Sequence, residues 1–202
     1  MRNSLLLVLV MAIWMGVMWY VGDCPGVNSA LPGISKPSMA VQFARSEADV
    51  IAALGFPGSC WTAVRHQQYF DFVYILLYWS FFFFVIGGKL RGIAPENFQW
   101  LGTVVRIFIT LGAACDILEN IAILSATSIP PGHFPASIHF SVPKWFFVFL
   151  AAGFSGPLFL ASFQIPVAGW PKGIARILGA VYLVGAALGI TWLVRTLLAQ
   201  RW

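Results

Sequence analysis

Two carboxylates and an amide lie close together in an otherwise apolar stretch of the chain. Asp116, Glu119 and Asn120 are spaced i, i+3 and i+4, so an α-helix would place all three on one face. Side chains of these types can hold a cation through oxygen ligands, act as a general acid, or relay protons. A charge at the centre of a membrane helix costs roughly 2.5–3.5 kcal/mol on insertion scales, so this group calls for partners or a function.

A second helix is predicted to supply polar groups that face this one. Asp71, Tyr74 and Tyr78 recur with helical spacing in the preceding apolar stretch. Because consecutive membrane helices run in opposite directions, the start of that helix lies at the same depth as Asp116 and Glu119. We therefore predict that the two helices meet in a polar pocket near one membrane surface. The candidate polar cluster consists of Asp71, Tyr74, Tyr78, Asp116, Glu119 and Asn120.

Two kinds of partner could complete this cluster. Arg65, Arg106 or Lys144 would neutralise the carboxylates and leave them a role in helix packing. A divalent metal ion is the other interpretation, with Mg²⁺ suited to the carboxylates alone. Zn²⁺ or iron would be favoured if a histidine joined them. The candidate metal ligands are Asp71, Asp116, Glu119, His66 and His139.

The composition indicates the class of protein. Hydrophobic residues make up 59% of the 202 residues and charged residues only 9%, with a mean hydropathy of +0.83. A soluble domain has about 25% charged residues. Several apolar runs are long enough to cross a bilayer as helices, and no alternating pattern of a β-barrel is present. The net charge of +5 is attributed to flanks that face anionic lipid, so no nucleic-acid partner is predicted.

The predicted fold is all-α, a single membrane domain over residues 1–202 that forms a bundle of five transmembrane helices. The spans are expected at about 4–21, 67–86, 101–124, 146–163 and 174–198. Between the first two lies an extramembrane loop, 22–65, rich in Pro and Gly. Ser46 is a favourable N-cap and is followed by acidic residues, which predicts a short amphipathic helix within this loop.

The cysteines at the two ends of the loop bear on orientation. Cys24 and Cys60 could be two unpaired thiols, or they could form a disulfide, which would require an oxidising compartment. The basic residues of the two short loops favour a cytoplasmic N-terminus, whereas two arginines near the C-terminus favour the opposite. A disulfide would decide for the first orientation. The predicted location is the bacterial inner membrane, with the N-terminus cytoplasmic and loop 22–65 outside.

The order of these motifs resembles a group of small multi-pass bacterial membrane proteins of uncharacterised function. The likeness rests on the segment QFARS at 42–46, on Asp71 and Tyr78 in one span, and on the sequence DxxEN at 116–120 in a later span. It covers roughly half of the chain. The resemblance implies that Asp71, Tyr78, Asp116, Glu119 and Asn120 belong together, and it implies no activity.

Three functions remain open from the residues alone. The favoured one is a structural or accessory component of a membrane assembly, in which the carboxylates fix helix packing. The alternative is a membrane enzyme that acts on a lipid or isoprenoid substrate through an Asp/Glu-centred site, with or without a metal ion. A proton or cation transporter is the third. Phenylalanine-rich segments at 81–84 and 146–149 would face either the lipid bilayer or other membrane subunits.

Overall fold

The computed structural model describes residues 2–27, 29, 31, 34–88, 96, 99–128, 137–161 and 172–199. All regular structure in this part of the chain is helical. The seven α-helices are α1 (Arg2–Val21), α2 (Pro37–Ala40), α3 (Glu47–Leu54), α4 (Ser59–Ser80), α5 (Gln99–Ala126), α6 (Ile138–Ala161) and α7 (Lys172–Ala199). A 3₁₀ turn, Val41–Phe43, follows α2, and a π-helix, Phe81–Ile86, continues α4.

Four of the described helices are long and apolar enough to cross a membrane, over 59–86, 99–126, 138–156 and 180–199. The predicted all-helical class is thus confirmed, and a membrane environment fits these helices. The described apolar part of α1, Leu6–Val21, is shorter, so a fifth span stays a prediction. Consecutive long helices pack against each other, α1 on α4, α4 on α5, α5 on α6 and α6 on α7.

Two helices begin about two turns before the predicted starts of their spans. The helix expected from residue 67 begins at Ser59, and the one expected from residue 146 begins at Ile138. Consequently, residues 59–65 of the predicted loop are helical. The early turns contain buried residues such as Trp61 and Ser141, which are covered by protein. Hydropathy alone therefore places these helix starts too late.

Helix α3 lies inside the loop and has defined ends. The Ser46 hydroxyl accepts a hydrogen bond from the backbone N–H of Asp49 at 3.3 Å, which satisfies one of the free donors of the first turn. The helix ends at Gly55, whose φ of 74° is in the left-handed region that favours glycine. Val50 and Leu54 are buried. That α3 lies on the membrane surface stays a prediction.

Residues 37–44, which we call the cap segment, pack against one end of the bundle. We call this end, which is nearest the loop, the loop end. The hydroxyl of Ser137 donates to the carbonyl of Val41 at 2.6 Å, and the hydroxyl of Ser141 donates to the carbonyl of Gln42. The Phe43 ring meets the Trp192 ring edge-on at 5.6 Å between centroids. The cap segment is therefore part of the folded core rather than a loose connection.

Two apolar cores lie at different depths in the bundle. The first, at the loop end, joins the cap segment to Val64 of α4 and Ile123 of α5. The second lies deeper and contains Ile75 of α4 and Ala113 of α5. Asp71 of α4 and the three polar residues Asp116, Glu119 and Asn120 of α5 fall between these positions in their helices. Together with the side chains that contact them, they form a polar layer that separates the two cores.

The π-helix at the far end of α4 has a specific partner on α5. A π-helix shifts backbone carbonyls out of the α-helical hydrogen-bonding pattern. Arg106 Nε donates to the carbonyl of Phe83 at 3.0 Å. A Cβ on Gly87 would lie 2.7 Å from Arg106 Cγ and 2.9 Å from the carbonyl oxygen of Gly102, so only glycine allows this approach.

The loop is also held to the end of α1. The ammonium of Lys36 lies over the ring of Trp19, 3.0 Å from its centroid, in a cation–π contact. Burial lowers the pKa of Lys36 below its ordinary value, and the negative charge of Asp23 partly opposes this.

Cys24, directly after α1, forms a disulfide with Cys60 in the first turn of α4, with 5.0 Å between their Cα atoms. The bond closes a loop with a sequence separation of 36 residues. The third cysteine, Cys115, is not bonded to another cysteine.

Replacing Cys60 by serine is expected to lower the free energy of unfolding by up to about 3–4 kcal/mol, because the open loop gains conformational entropy when the protein unfolds. Thermal unfolding in detergent, followed by circular dichroism, measures the loss. Cys115→Ser is the matched control and should leave the midpoint unchanged. Equal midpoints for both variants would contradict a stabilising role for the bond.

Candidate functional site

The centre of the polar layer is an ammonium shared by two carboxylates. Lys144 Nζ on α6 lies 3.0 Å from Asp116 Oδ1 and 2.7 Å from Glu119 Oε1, both on α5. The three residues are 4%, 5% and 0% exposed, respectively. The contacts join an ammonium to carboxylates, so they are charge-assisted hydrogen bonds. Their burial excludes water, which strengthens them.

Small residues on α5 allow α6 to bring Lys144 this close. A Cβ on Gly112 would lie 3.1 Å from Val148 Cγ2 and 3.6 Å from the carbonyl oxygen of Lys144. Gly112 lies one turn before Asp116, on the same face. The close approach of the two helices thus places the ammonium between the carboxylates.

Helix α4 joins the same layer through two further hydrogen bonds. The Tyr78 hydroxyl donates to Asp116 Oδ2 at 3.0 Å. The Asn120 amide donates from Nδ2 to Asp71 Oδ2 at 2.9 Å. Tyr78 is 7% exposed, Asp71 8% and Asn120 0%. The polar layer therefore ties α4, α5 and α6 together at one depth.

The positive charge of this layer does not balance the negative charge. The layer contains three carboxyl groups, Asp71, Asp116 and Glu119, and one ammonium, which contacts the last two of them. Two fully buried oxygens, Glu119 Oε2 and Asn120 Oδ1, have no hydrogen-bond partner among the described residues. The buried Oε1 of Gln68, one turn from Asp71, is in the same condition. The layer therefore lacks hydrogen-bond donors and positive charge.

The structure brings some of the predicted residues into the layer and leaves others outside. Tyr74 is half-buried, with its ring 5.7 Å from that of Tyr78. Arg65 is half-buried and forms no ion pair within the described residues. Arg106 binds the carbonyl of Phe83 instead, ten residues and thus about 15 Å along α5 from Asp116. Of the three predicted cationic partners, only Lys144 contacts the carboxylates.

The arrangement does not fit the predicted metal site. The described residues contain no group of three or more His, Cys, Asp or Glu side chains placed to hold a metal ion. The ammonium of Lys144 already occupies the position between Asp116 and Glu119. His66 and His139 are exposed and do not join the buried carboxylates.

Sequence reasoning missed two parts of the site. Gln68 is buried on the same face of α4 as Asp71, and its i−3 spacing was an available signal. The cap segment is the other. The pocket was expected near a membrane surface, and the structure adds a cover, because Ser141, one turn before Lys144, donates a hydrogen bond to the carbonyl of Gln42 in the cap segment. The polar layer is therefore covered by the loop, through contacts that span about a hundred residues of sequence.

An open cavity of about 570 Å³ lies beside the cap segment. Its described lining combines Arg45 and His139 with the apolar side chains of Ile138, Val142 and Pro143. None of these lining residues belongs to the polar layer.

Comparisons with known protein families, with curated proteins and with solved structures gave no match to this chain.

Replacing Lys144 by methionine should destabilise the fold by about 3–5 kcal/mol, because two buried carboxylates lose their common counter-charge. The effect is measured by heating the purified protein in detergent and quantifying, by size-exclusion chromatography, the fraction that stays folded at each temperature. Arg65→Met, which removes a half-buried cation outside the layer, is the matched control and should cost much less. The triple variant K144M/D116N/E119Q should recover most of the loss, and a triple variant as unstable as K144M would contradict the charge argument.

Proposed function

We propose that this protein is a structural or accessory component of a membrane assembly, and that its buried carboxylate cluster fixes the packing of its own helices. The observation that carries the proposal is the closed contact of Lys144 with Asp116 and Glu119 at 3.0 and 2.7 Å. An ammonium held by two carboxylates is engaged on the protein itself. A site that awaits a substrate or a metal ion would instead leave such groups open.

A packing role is physically reasonable in a bilayer. Lipid chains are as apolar as the helix surfaces, so the hydrophobic effect contributes little to helix association. Close packing at Gly112 and polar contacts such as Tyr78 to Asp116 supply the association instead. These contacts connect α4, α5 and α6. Three of the four described segments that are long enough to span a membrane lie in these helices.

An accessory role in an assembly is supported by the surface of α7. Ile177, Val181, Val184 and Leu188 are between 57% and 65% exposed and recur with helical spacing along one side. On this proposal the face packs against a further membrane subunit, and lipid covers it when that subunit is absent.

The proposed orientation has a cytoplasmic N-terminus and an external loop in the bacterial inner membrane. The disulfide between Cys24 and Cys60 supports it, because disulfides persist on the oxidising side of that membrane. The same placement positions the cap segment at the outer surface, with the polar layer beneath it.

The cavity at Arg45 and His139 favours a second candidate function, an activity directed at a lipid or isoprenoid substrate. Its Arg45 guanidinium would suit an anionic head group, and Val142 and Pro143 would suit the attached chain. On this alternative the substrate binds beside the cap segment rather than in the polar layer.

The packing role predicts that Asp116→Asn and Glu119→Gln both lower the amount of folded protein in the membrane and its unfolding midpoint. Asp23→Asn, which alters an exposed carboxylate, is the control and should behave as the native protein. If both variants stay as stable as the native protein but lose a bound metal or the turnover of a lipid panel, an enzymatic role replaces the structural one.

The assembly role predicts that protein extracted from its native membrane in mild detergent has a mass above that of one chain, measured by light scattering. Leu188→Trp adds bulk to the exposed face of α7 and should reduce this mass without changing the unfolding midpoint. Leu118→Trp, on an exposed position of α5, is the matched control. A monodisperse single chain from the native membrane would contradict the assembly role.

A further inference from the structure

Asp71 is a buried carboxyl group without a cationic partner in the described structure. The ion pairs found there both belong to Lys144, and they involve Asp116 and Glu119. Asp71 is 8% exposed, and its Oδ2 accepts one hydrogen bond, from Asn120 Nδ2 at 2.9 Å. An ionised carboxylate in such a place costs several kcal/mol unless a counter-charge compensates it.

The other atom of the same amide points to a missing donor. Asn120 is fully buried, and its Oδ1 has no hydrogen-bond partner among the described residues. Leaving a buried acceptor without a donor costs about 1–3 kcal/mol of folding free energy. Such an acceptor therefore indicates a nearby donor, such as a proton on a neighbouring carboxyl oxygen, that heavy-atom positions alone do not reveal. The neighbouring donors are directed elsewhere, with the Tyr78 hydroxyl bonded to Asp116 and the Lys144 ammonium bonded to Asp116 and Glu119.

Among the described residues, the titratable groups around this pair supply no further positive charge. They include the carboxyl groups of Asp116 and Glu119 on α5 and the single ammonium of Lys144 on α6, and the remaining ones on α4, α5 and α7 are neutral in their ordinary state. These are Tyr74 and Tyr78 on α4, Cys115 on α5 and Tyr182 on α7. Full ionisation of the three carboxyl groups would leave two negative charges uncompensated within a closed layer.

We propose that Asp71 is a proton-binding site and that it pairs with Asn120 as a neutral carboxylic acid with an amide. Asn120 Nδ2 donates to Asp71 Oδ2, and the proton on the other carboxyl oxygen of Asp71 is donated to Asn120 Oδ1. This ring of two hydrogen bonds gives the buried amide oxygen its donor and removes one of the two uncompensated charges. The proton is taken up from water and is returned to water on release, with no other bond formed or broken.

The pair fits a proton better than a metal ion. Asp71 and Asn120 together offer one carboxylate and one amide oxygen, whereas hard metal ions take six or more oxygen ligands. The site is also distinct from the Lys144 contacts, because Asp71 and Lys144 are not within ion-pair distance. Proton binding at Asp71 and helix packing through Lys144 can therefore be tested separately.

Infrared spectroscopy of the purified protein in lipid at neutral pH tests the proposal, since a protonated carboxyl group has a carbonyl band separate from those of carboxylates and amides. The band should shift in the native protein when aspartate is labelled with ¹³C at its side-chain carboxyl, and stay in place when glutamate is labelled. Of the four aspartates, Asp23, Asp49, Asp71 and Asp116, only Asp71 and Asp116 are buried. Labelling needs no substitution, so the test does not depend on a variant that folds.

Variants then assign the band to one residue. Asp71→Asn should abolish it, Asp116→Asn should retain it, and Asn120→Leu should shift it because the acid loses its hydrogen-bonded partner. The proposal is overturned if the native protein has no such band at neutral pH, if only glutamate labelling moves it, or if it is lost in D116N and kept in D71N.

Discussion

The contact between the Lys144 ammonium and the carboxylates of Asp116 and Glu119 is the interaction on which this bundle depends. It lies between two apolar cores, so each neighbouring layer has to pack around a fixed polar centre. A charged centre of this kind is weak support for stability when compared with a well-packed apolar layer. Its value lies in geometry, because sliding α5 along α6 by one turn would separate the ammonium from its partners and leave buried charges alone.

The polar layer also divides the chemistry of the bundle into two unequal parts. On one side the Lys144 ammonium on α6 contacts two carboxylates of α5, and the Tyr78 hydroxyl donates a hydrogen bond to one of them, Asp116. On the other side Asp71 and Asn120 join α4 to α5 without an ion pair to any described cation. The first part resists any change of charge. The second part can change its charge by one proton while the ammonium contacts stay in place.

The class of the protein and the members of the layer could be predicted from the sequence, because they depend on composition and helical spacing. Asp71 and Tyr78 share one face of α4 at i and i+7, Asp116 and Asn120 share one face of α5 at i and i+4, and antiparallel helices put them at one depth. The choice of Lys144 over Arg65 and Arg106 could not be predicted, since it depends on how closely α6 approaches Gly112. The cover over the layer could not be predicted, because the contacts of Gln42 with Ser141 and Trp145 are non-local and no periodic pattern encodes them.

The cap segment has a consequence for the order of assembly during synthesis. Val41 and Gln42 are made early, but their partners Ser137 and Trp145 follow about a hundred residues later. At roughly 5–20 residues per second, this delay is about 5–20 s. Towards the end of that time the carboxyl groups of α5 are made, 28 and 25 residues before Lys144, and until α6 follows they lack their ammonium. The nascent chain therefore passes through an intermediate with an open polar face, and α6 closes it.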